Sequence, residues 1–152
     1  MTQDEISIYC DGGTDSLHEG VGGIGIYMTF KEHKKMTKAK IGTVSHNQAD
    51  LASVWCAFGL LKEWAVDKEI RIHSDSEYVV SVLTNPRWTP STNIELVNEI
   101  KEKASKYKHL VFVKVPVIGG PAEFDIAKAL AIEALSSGEM NTVTYLEKLL
   151  GR

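Results

Sequence analysis

Two aspartates stand where a divalent metal ion could bind. Asp11 lies in the segment CDGG and Asp75 in HSDSEY, each after a short stretch of alternating apolar residues. If the two stretches are parallel neighbouring strands, their carboxyl ends meet at one sheet edge, where open α/β sheets bind ligands. Two carboxylates there would repel each other without a cation, and hard oxygen ligands favour Mg²⁺ or Mn²⁺. Each aspartate alone could instead belong to a turn or a helix cap.

A third carboxylate, Asp50, falls in the first turn of a predicted helix that begins at Asn47 and runs to about Trp64. The spacings of three and four that predict this helix are those of Leu51, Val54, Phe58 and Leu61. The helix could carry Asp50 to the same sheet edge as the other two aspartates. The alternative is a carboxylate that merely complements the helix dipole.

The elements around these aspartates predict a mixed α/β sheet. Apolar alternation predicts strands near residues 6–10, 22–28, 35–44 and 70–72, and the first strand is expected to end at Asp11. The apolar run at 110–115 predicts a strand covered on both faces. Further helices are predicted over 77–83, 94–100, 124–135 and 143–149. This order implies a five-stranded sheet, an antiparallel three-stranded meander plus two parallel strands, flanked by helices.

Composition describes one ordinary soluble domain. The chain has 152 residues, 17 Lys+Arg against 20 Asp+Glu, two Cys and a net charge of −3. We expect a single domain over 1–152, with 138–152 as a short C-terminal helical extension. The composition excludes a disulfide scaffold, and the absence of a signal or membrane segment predicts a cytoplasmic protein. A monomer is expected, and no protein partner is implied. The negative charge argues against a protein that coats nucleic acid by charge alone.

Four segments in order, YCDGG, GVGGIGIYM, HNQADLASV and IHSDSEYV, resemble ribonuclease H of the type 1 family over roughly residues 5–131. The resemblance implies a ribonuclease H-like fold and a two-metal endonuclease that cuts the RNA strand of an RNA/DNA hybrid with Mg²⁺ or Mn²⁺. Carried over by position, it makes Asp11 the central metal-bridging carboxylate. Asp50 stands where the family has a glutamate, and Asp75 ends the fourth strand.

The resemblance also implies a substrate-binding surface. A polar segment before the helix of Asp50 is similar to the family segment that contacts the hybrid's minor groove, where 2′-hydroxyls distinguish RNA from DNA. It contains Thr43, Ser45, Asn47 and Gln48. Helix capping by Ser45 or Asn47 is the alternative. The rest of the predicted substrate-binding set is Arg87 and Trp88 in a predicted loop, with Gly12, Gly13 and Ser76 beside the aspartates.

The last motif, VPVIGGPAEFDIAKALA, departs from the family pattern. Ile118 stands at about the position of a loop histidine, and Lys128 stands where a fourth carboxylate is expected. Asp125, one helical turn earlier, could substitute if the helix were shifted. Otherwise Lys128 would direct its ammonium group toward the carboxylates and weaken metal binding, or lie in solvent.

Three functional hypotheses follow. The first is a ribonuclease H-like hydrolase, with its activity reduced if Lys128 disturbs the site. The second is a weakened or inactive module that binds hybrid or duplex nucleic acid. The third, a relative acting on DNA junctions or as an exonuclease, fits the motif order less well.

Glycines and lysines suggest further contacts. Residues 20–25 spell GxGxxG but precede a strand rather than a helix, so we expect close approach of a hybrid backbone there instead of dinucleotide binding. Two lysine-rich stretches, residues 31–40 and 101–108, could contact phosphates or could be solvated faces.

Overall fold

A five-stranded sheet forms the centre of the computed structural model, which describes residues 5–15, 20–88 and 92–136. The strands are β1 (Glu5–Asp15), β2 (Val21–Phe30), β3 (His33–Thr43), β4 (Glu69–Ser74) and β5 (His109–Lys114). The helices are α1 (His46–Ala57), α2 (Glu77–Thr84), α3 (Ile94–Ala104) and α4 (Ala122–Ser136), with a short 3₁₀ helix at Glu63–Ala65. The predicted extension 138–152, with its helix at 143–149, lies outside the described residues.

The strand order is β3-β2-β1-β4-β5. β1, β2 and β3 pair antiparallel, whereas β4 pairs parallel with both β1 and β5. The predicted mixed sheet, a meander plus two parallel strands, is therefore confirmed. Helix α1 leads from β3 to β4, the helical crossover that parallel neighbours require.

Alternation along β1 divides the apolar residues between two layers. Ile6, Ile8 and Cys10 are fully buried in a core that includes residues of α1 and α3. Tyr9 belongs to a second cluster that contains Phe124 of α4. Helices therefore cover both faces of the central strands, and none in the described ranges is long and apolar enough to cross a membrane.

Helix α1 ends at Ala57, so the predicted extension to Trp64 is wrong. Phe58 and Leu61 are buried, but they pack from a turn that contains Gly59. Their spacing reflects burial in the core, and a turn can bury residues at helical spacing without continuing the helix.

Two strand predictions also need correction. β1 continues through Asp11 to Asp15, because β2 still pairs with it after β4 has ended. β5 is not covered on both faces: Val111 is half exposed, because β5 is the outermost strand on its side of the sheet.

Helix α4 packs against the glycine-rich segment of β2. A Cβ atom on Gly25 would collide with the backbone of Ala127 and would lie 2.6 Å from the nitrogen of Ala131. A Cβ atom on Gly23 would similarly meet α4. These two glycines allow α4 to pack closely on the sheet, which replaces the predicted approach of a hybrid backbone at these positions.

Candidate metal centre

Three carboxylates meet at one edge of the central strands. Asp11, Asp50 and Asp75 can each offer one oxygen, and these oxygens all lie within 4.8 Å of one another. They come from β1, α1 and the turn after β4, so residues far apart in sequence form one acidic group. The structure thus brings together the three aspartates predicted as metal ligands.

Parallel pairing positions Asp11 and Asp75. The register of β1 and β4 ends with Tyr9 opposite His73, and each aspartate lies two residues beyond that pair. Because side chains alternate along a strand, Asp11, two residues after Tyr9, lies on the same face of the sheet as Tyr9. Asp75 lies the same number of residues after His73, so the two aspartates lie at the same level of the sheet. The rings of Tyr9 and His73 stack at 4.3 Å, and Nδ1 of His73 lies 3.0 Å from the carbonyl oxygen of Ile8. His73 therefore has a structural role next to the carboxylates.

A close contact between α1 and β1 positions Asp50. The backbone N–H of Gly12 donates to Oδ1 of Asp50 at 3.0 Å. A Cβ atom on Gly12 would collide with the backbone of Ala49, so this position requires glycine. Since α1 begins at His46 and Asp50 is its fifth residue, Asp50 lies beyond the first turn, contrary to prediction. The dipole alternative is correspondingly weakened, because that effect is confined to the first turn.

Burial and repulsion make Asp11 and Asp50 difficult to ionise. Desolvation, then repulsion from Asp75 and Asp50, raises the pKa of Asp11 to about 7. Desolvation also raises the pKa of Asp50 to about 7, with repulsion from Asp75 adding to it and the Gly12 N–H opposing it. A divalent cation would relieve this repulsion, so the burial and the all-oxygen donor set fit Mg²⁺ or Mn²⁺.

Two basic side chains border the acidic group. Nζ of Lys128 donates to the carbonyl oxygen of Val117 at 3.0 Å and lies 5.4 Å from the centre of the Phe124 ring. Its charge is near enough to lower the pKa of Asp11. Nε2 of His46 lies 3.6 Å from Oδ2 of Asp50. The Lys128 ammonium group is therefore held by Val117 while its charge acts on Asp11, which combines features of the two predicted arrangements.

The remaining residues of the last motif do not join the acidic group. Asp125 is exposed on α4 and is not among the clustered carboxylates of the described residues. Ile118 is 89% exposed in the loop after β5. The structure thus brings no fourth carboxylate from the described part of α4 into the group, and the role predicted for Asp125 remains a hypothesis that its position does not favour.

Some of the predicted substrate-binding residues form hydrogen bonds within the fold, and others are exposed. Ser45 caps α1: its Oγ accepts from the N–H of Gln48, while its own N–H donates to Oε1 of Gln48. Ser76 similarly caps α2 through Val79. Thr43, Asn47 and Arg87 are exposed, and Gly13 has open space where a Cβ atom would stand. Capping by Ser45, one of the two alternatives, is confirmed, and substrate contacts remain predictions.

A polar and aromatic row extends from Gln48. Nε2 of Gln48 donates to Oδ1 of Asn93 at 3.2 Å, and Nδ2 of Asn93 donates to the hydroxyl of Tyr78 at 3.4 Å. The Tyr78 ring meets Trp88 edge-on at 6.3 Å. Asn93 and Tyr78 are absent from the predicted site, since no linear spacing connects them with Gln48. The one available signal is asparagine before a helix, and Asn93 does have a left-handed φ of 60°.

Four lysines of the lysine-rich stretches form ion pairs or cation–π contacts within the folded chain. Lys38 pairs with Glu133 at 3.2 Å, and Lys103 pairs with Glu99 while lying over the ring of Trp55. Lys108 pairs with Asp67 at 2.8 Å, and Lys31 lies over Phe30. These lysines therefore have partners in the folded chain, which favours the solvated-face alternative for them.

The strand order and the carboxylate group at the sheet edge define a ribonuclease H-like fold. The chain belongs to the RNase H family, whose model matches residues 3–121. The family resemblance and the fold predicted from the sequence are both confirmed.

Individual relatives agree with the family assignment. A ribonuclease H from Actinobacillus succinogenes is 32% identical over 102 residues, which are 62% of this chain and 64% of that protein. The RNase H1 structure from Halobacterium salinarum is 22% identical, covers 87% of this chain and 98% of that one, and has a TM-score of 0.74, which supports the fold alone. LC11-RNase H1, solved in complex with an RNA/DNA hybrid, is 25% identical over 86% of this chain and 99% of its own, with a TM-score of 0.69.

Proposed function

We propose that this chain is a metal-dependent endonuclease that hydrolyses the RNA strand of RNA/DNA hybrids by a two-metal mechanism. The observation that carries the proposal is the meeting of Asp11, Asp50 and Asp75 within 4.8 Å. Family membership supports the reaction class, and the hybrid bound to LC11-RNase H1 supports the substrate class.

Each aspartate has a distinct place in this mechanism. Asp11, which both other carboxylates repel, would be the central ligand of the bound metal. Asp50 is oriented by the Gly12 N–H at Oδ1, and its Oδ2, which lies 3.6 Å from Nε2 of His46, would be the oxygen that faces a metal. Asp75 lies in the turn between β4 and α2, outside either element. When bound, Mg²⁺ or Mn²⁺ would activate water and stabilise the leaving 3′ oxygen.

Hybrid recognition is assigned to the surface next to α1. Thr43, Asn47 and the Gln48–Asn93 pair would contact the minor groove, where 2′-hydroxyls mark the RNA strand; the exposure of Thr43 and Asn47 supports this proposal. Arg87 and Trp88, both exposed, would contact sugar or phosphate. Gly13 and Ser76 would extend this surface, whereas buried Gly12 would act through the N–H that it donates to Asp50. We also propose that the protein is cytoplasmic and monomeric. Light scattering after size exclusion measures the mass in solution and so tests the monomer.

A specific observation favours a second candidate, a weakened or inactive module that binds hybrid. The Lys128 ammonium group is held by the Val117 carbonyl and its charge lowers the pKa of Asp11, and exposed Ile118 supplies no imidazole. A resident positive charge would compete with a divalent ion for the field of the carboxylates. This candidate predicts hybrid binding without divalent metal and without cleavage.

Cleavage of an end-labelled RNA/DNA hybrid separates the two candidates. The wild-type chain and Asp11→Asn are compared in Mg²⁺, in Mn²⁺ and in a chelator, with RNA/RNA and DNA/DNA duplexes as substrate controls. Internal cuts in the RNA strand that require metal and Asp11 support the nuclease. No Asp11-dependent cleavage in either metal, with hybrid binding that persists in chelator, refutes the nuclease and supports the module.

A further inference from the structure

An apolar cavity of about 320 Å³ lies at the end of the β2–β3 hairpin remote from the carboxylates. We call it the hairpin cavity; it is lined by Met28, Phe30, His33, Lys34, Lys35 and Trp64. Asp11 pairs with Gly25, and Phe30 lies five residues further along β2, or roughly 16 Å at 3.3 Å per residue. The hairpin cavity is therefore separate from the candidate metal centre.

Aromatic side chains form its walls. The rings of Phe30 and Trp64 meet at 5.2 Å with an angle of 53° between their planes. Trp64 is 45% exposed although it belongs to a short 3₁₀ helix against the sheet. A large aromatic side chain that is half exposed in a concave apolar surface is typical of a binding site. The volume suits one large apolar side chain with neighbouring backbone.

Positive charge surrounds this apolar floor. Lys34 and Lys35 line the cavity, and the Nζ atoms of Lys31 and Lys68 lie 5.3 and 5.7 Å from the centre of the Phe30 ring. The two segments that form the cavity, 28–35 and 62–68, contain five lysines against three carboxylates. One of those carboxylates, Asp67, pairs with Lys108 at 2.8 Å. The local charge is therefore positive on a chain whose net charge is −3, which favours an acidic partner.

The neighbouring strand favours a polypeptide over a nucleic acid. β3 is the outermost strand of the described sheet on this side, and an extended peptide can pair with such an edge. A nucleobase would need hydrogen-bond partners for its polar edges, which Met28 and the Phe30 ring on the cavity wall do not supply. An apolar side chain has no such need, and nearby aspartates or glutamates would meet the lysines.

We propose that the hairpin cavity is the docking site for an acidic segment of another protein. One aromatic or large aliphatic side chain of that segment fills the cavity between Phe30 and Trp64. Its carboxylates contact Lys34 and Lys35, and its backbone lies along β3. The inference does not rest on the proposed nuclease activity, since it uses none of the carboxylates of the metal centre.

Fluorescence anisotropy with labelled peptides tests the proposal. The probes are a set of eight-residue peptides that each contain one phenylalanine among aspartates, with the phenylalanine at a different position in each peptide. Matched control peptides carry Phe→Ala or Asp→Asn changes. We expect Phe→Ala to weaken binding at least about tenfold, because a buried phenylalanine contributes about 1.5–3 kcal/mol. The double variant Lys34→Glu, Lys35→Glu should weaken binding by at least about tenfold, whereas Lys106→Glu, an exposed lysine after α3, should change it less than about twofold.

A second measurement locates the peptide. The indole N–H resonance of Trp64 in the NMR spectrum, assigned with Trp64→Phe, should shift when peptide is added. The resonance of Trp55, which does not line the cavity, should not shift. Asp11→Asn should bind the peptides as the wild type does, which keeps this test independent of the nuclease. Absence of binding for every peptide below about 1 mM, or binding indifferent to both Phe→Ala and the lysine variant, overturns the proposal. Oligothymidylate binding with the same lysine dependence, in place of peptide binding, would also overturn it and assign the cavity to single-stranded nucleic acid.

Discussion

Replacing Asp11 by asparagine should stabilise the metal-free protein above neutral pH. The pKa of Asp11 is raised from 3.8 to about 7 in the folded chain, so between these pH values the folded state binds more protons than the unfolded state. The free energy of unfolding therefore falls as pH rises from about 4 to 7. At 1.36 kcal/mol per pH unit, ionised Asp11 costs at most about 4 kcal/mol above pH 7. Because Asp50 shares the repulsion and solvent screens part of it, we expect a gain of about 1–3 kcal/mol at pH 8.

Urea unfolding in chelator, followed by tryptophan fluorescence, measures this gain at pH 8 and at pH 4, where it should nearly vanish. Asp67→Asn is the matched control: Asp67 is exposed, and Lys108 lowers its pKa, so its loss should not stabilise the chain. Saturating Mn²⁺ should stabilise the wild type more than Asp11→Asn, which removes a ligand. A variant no more stable than the wild type at pH 8, or equally stabilised at pH 4, would refute the electrostatic argument.

Three further substitutions test the surroundings of the site. Gly12→Ala should lower the free energy of unfolding by at least about 2 kcal/mol and weaken Mn²⁺ binding, because its Cβ atom meets the α1 backbone. Gly13→Ala, whose Cβ atom has open space, is the control, and urea denaturation and calorimetry compare the two variants. Lys128→Asp should lower the Mn²⁺ dissociation constant about tenfold in calorimetry, and an unchanged value would show that the lysine does not oppose the metal. Gln48→Ala should cost about 1 kcal/mol in urea unfolding through its lost bonds to Ser45 and Asn93, with exposed Asn47→Ala nearly neutral.

Local patterns in the sequence predicted most elements of the sheet and its helices. Alternation identified β1, β2 and β3, and the helices predicted over 94–100 and 124–135 correspond to α3 and α4. The errors occur where burial does not follow a regular element. Leu61 is buried from a turn rather than from α1, and β5 is apolar although it lies at an edge. A periodic pattern records which residues avoid water, and several backbone paths can satisfy it.

The carboxylates illustrate the same limit at the site. Asp11 and Asp75 could be paired from the rule that helix-connected strands are parallel, and the register places both two residues past the last pair. The hydrogen bond from Gly12 to Asp50 could not be foreseen, because it depends on contact between residues 38 positions apart. The direction of Lys128 toward Val117 likewise depends on how the loop after β5 packs against α4.

By itself, the sequence determined the chemistry available to this protein: three aspartates in a family order, a lysine in place of a fourth carboxylate, and the alternation that forms the sheet. The tertiary structure alone decided the distances that make this chemistry effective. It placed the carboxylates within 4.8 Å, desolvated Asp11 and Asp50 until their pKa values rose to about 7, and brought the charge of Lys128 near enough to act on Asp11. It also joined Phe30 and Trp64 into a basic-rimmed cavity. The physical reason is that charge interactions and close packing depend on separation in space, which separation along the chain does not specify.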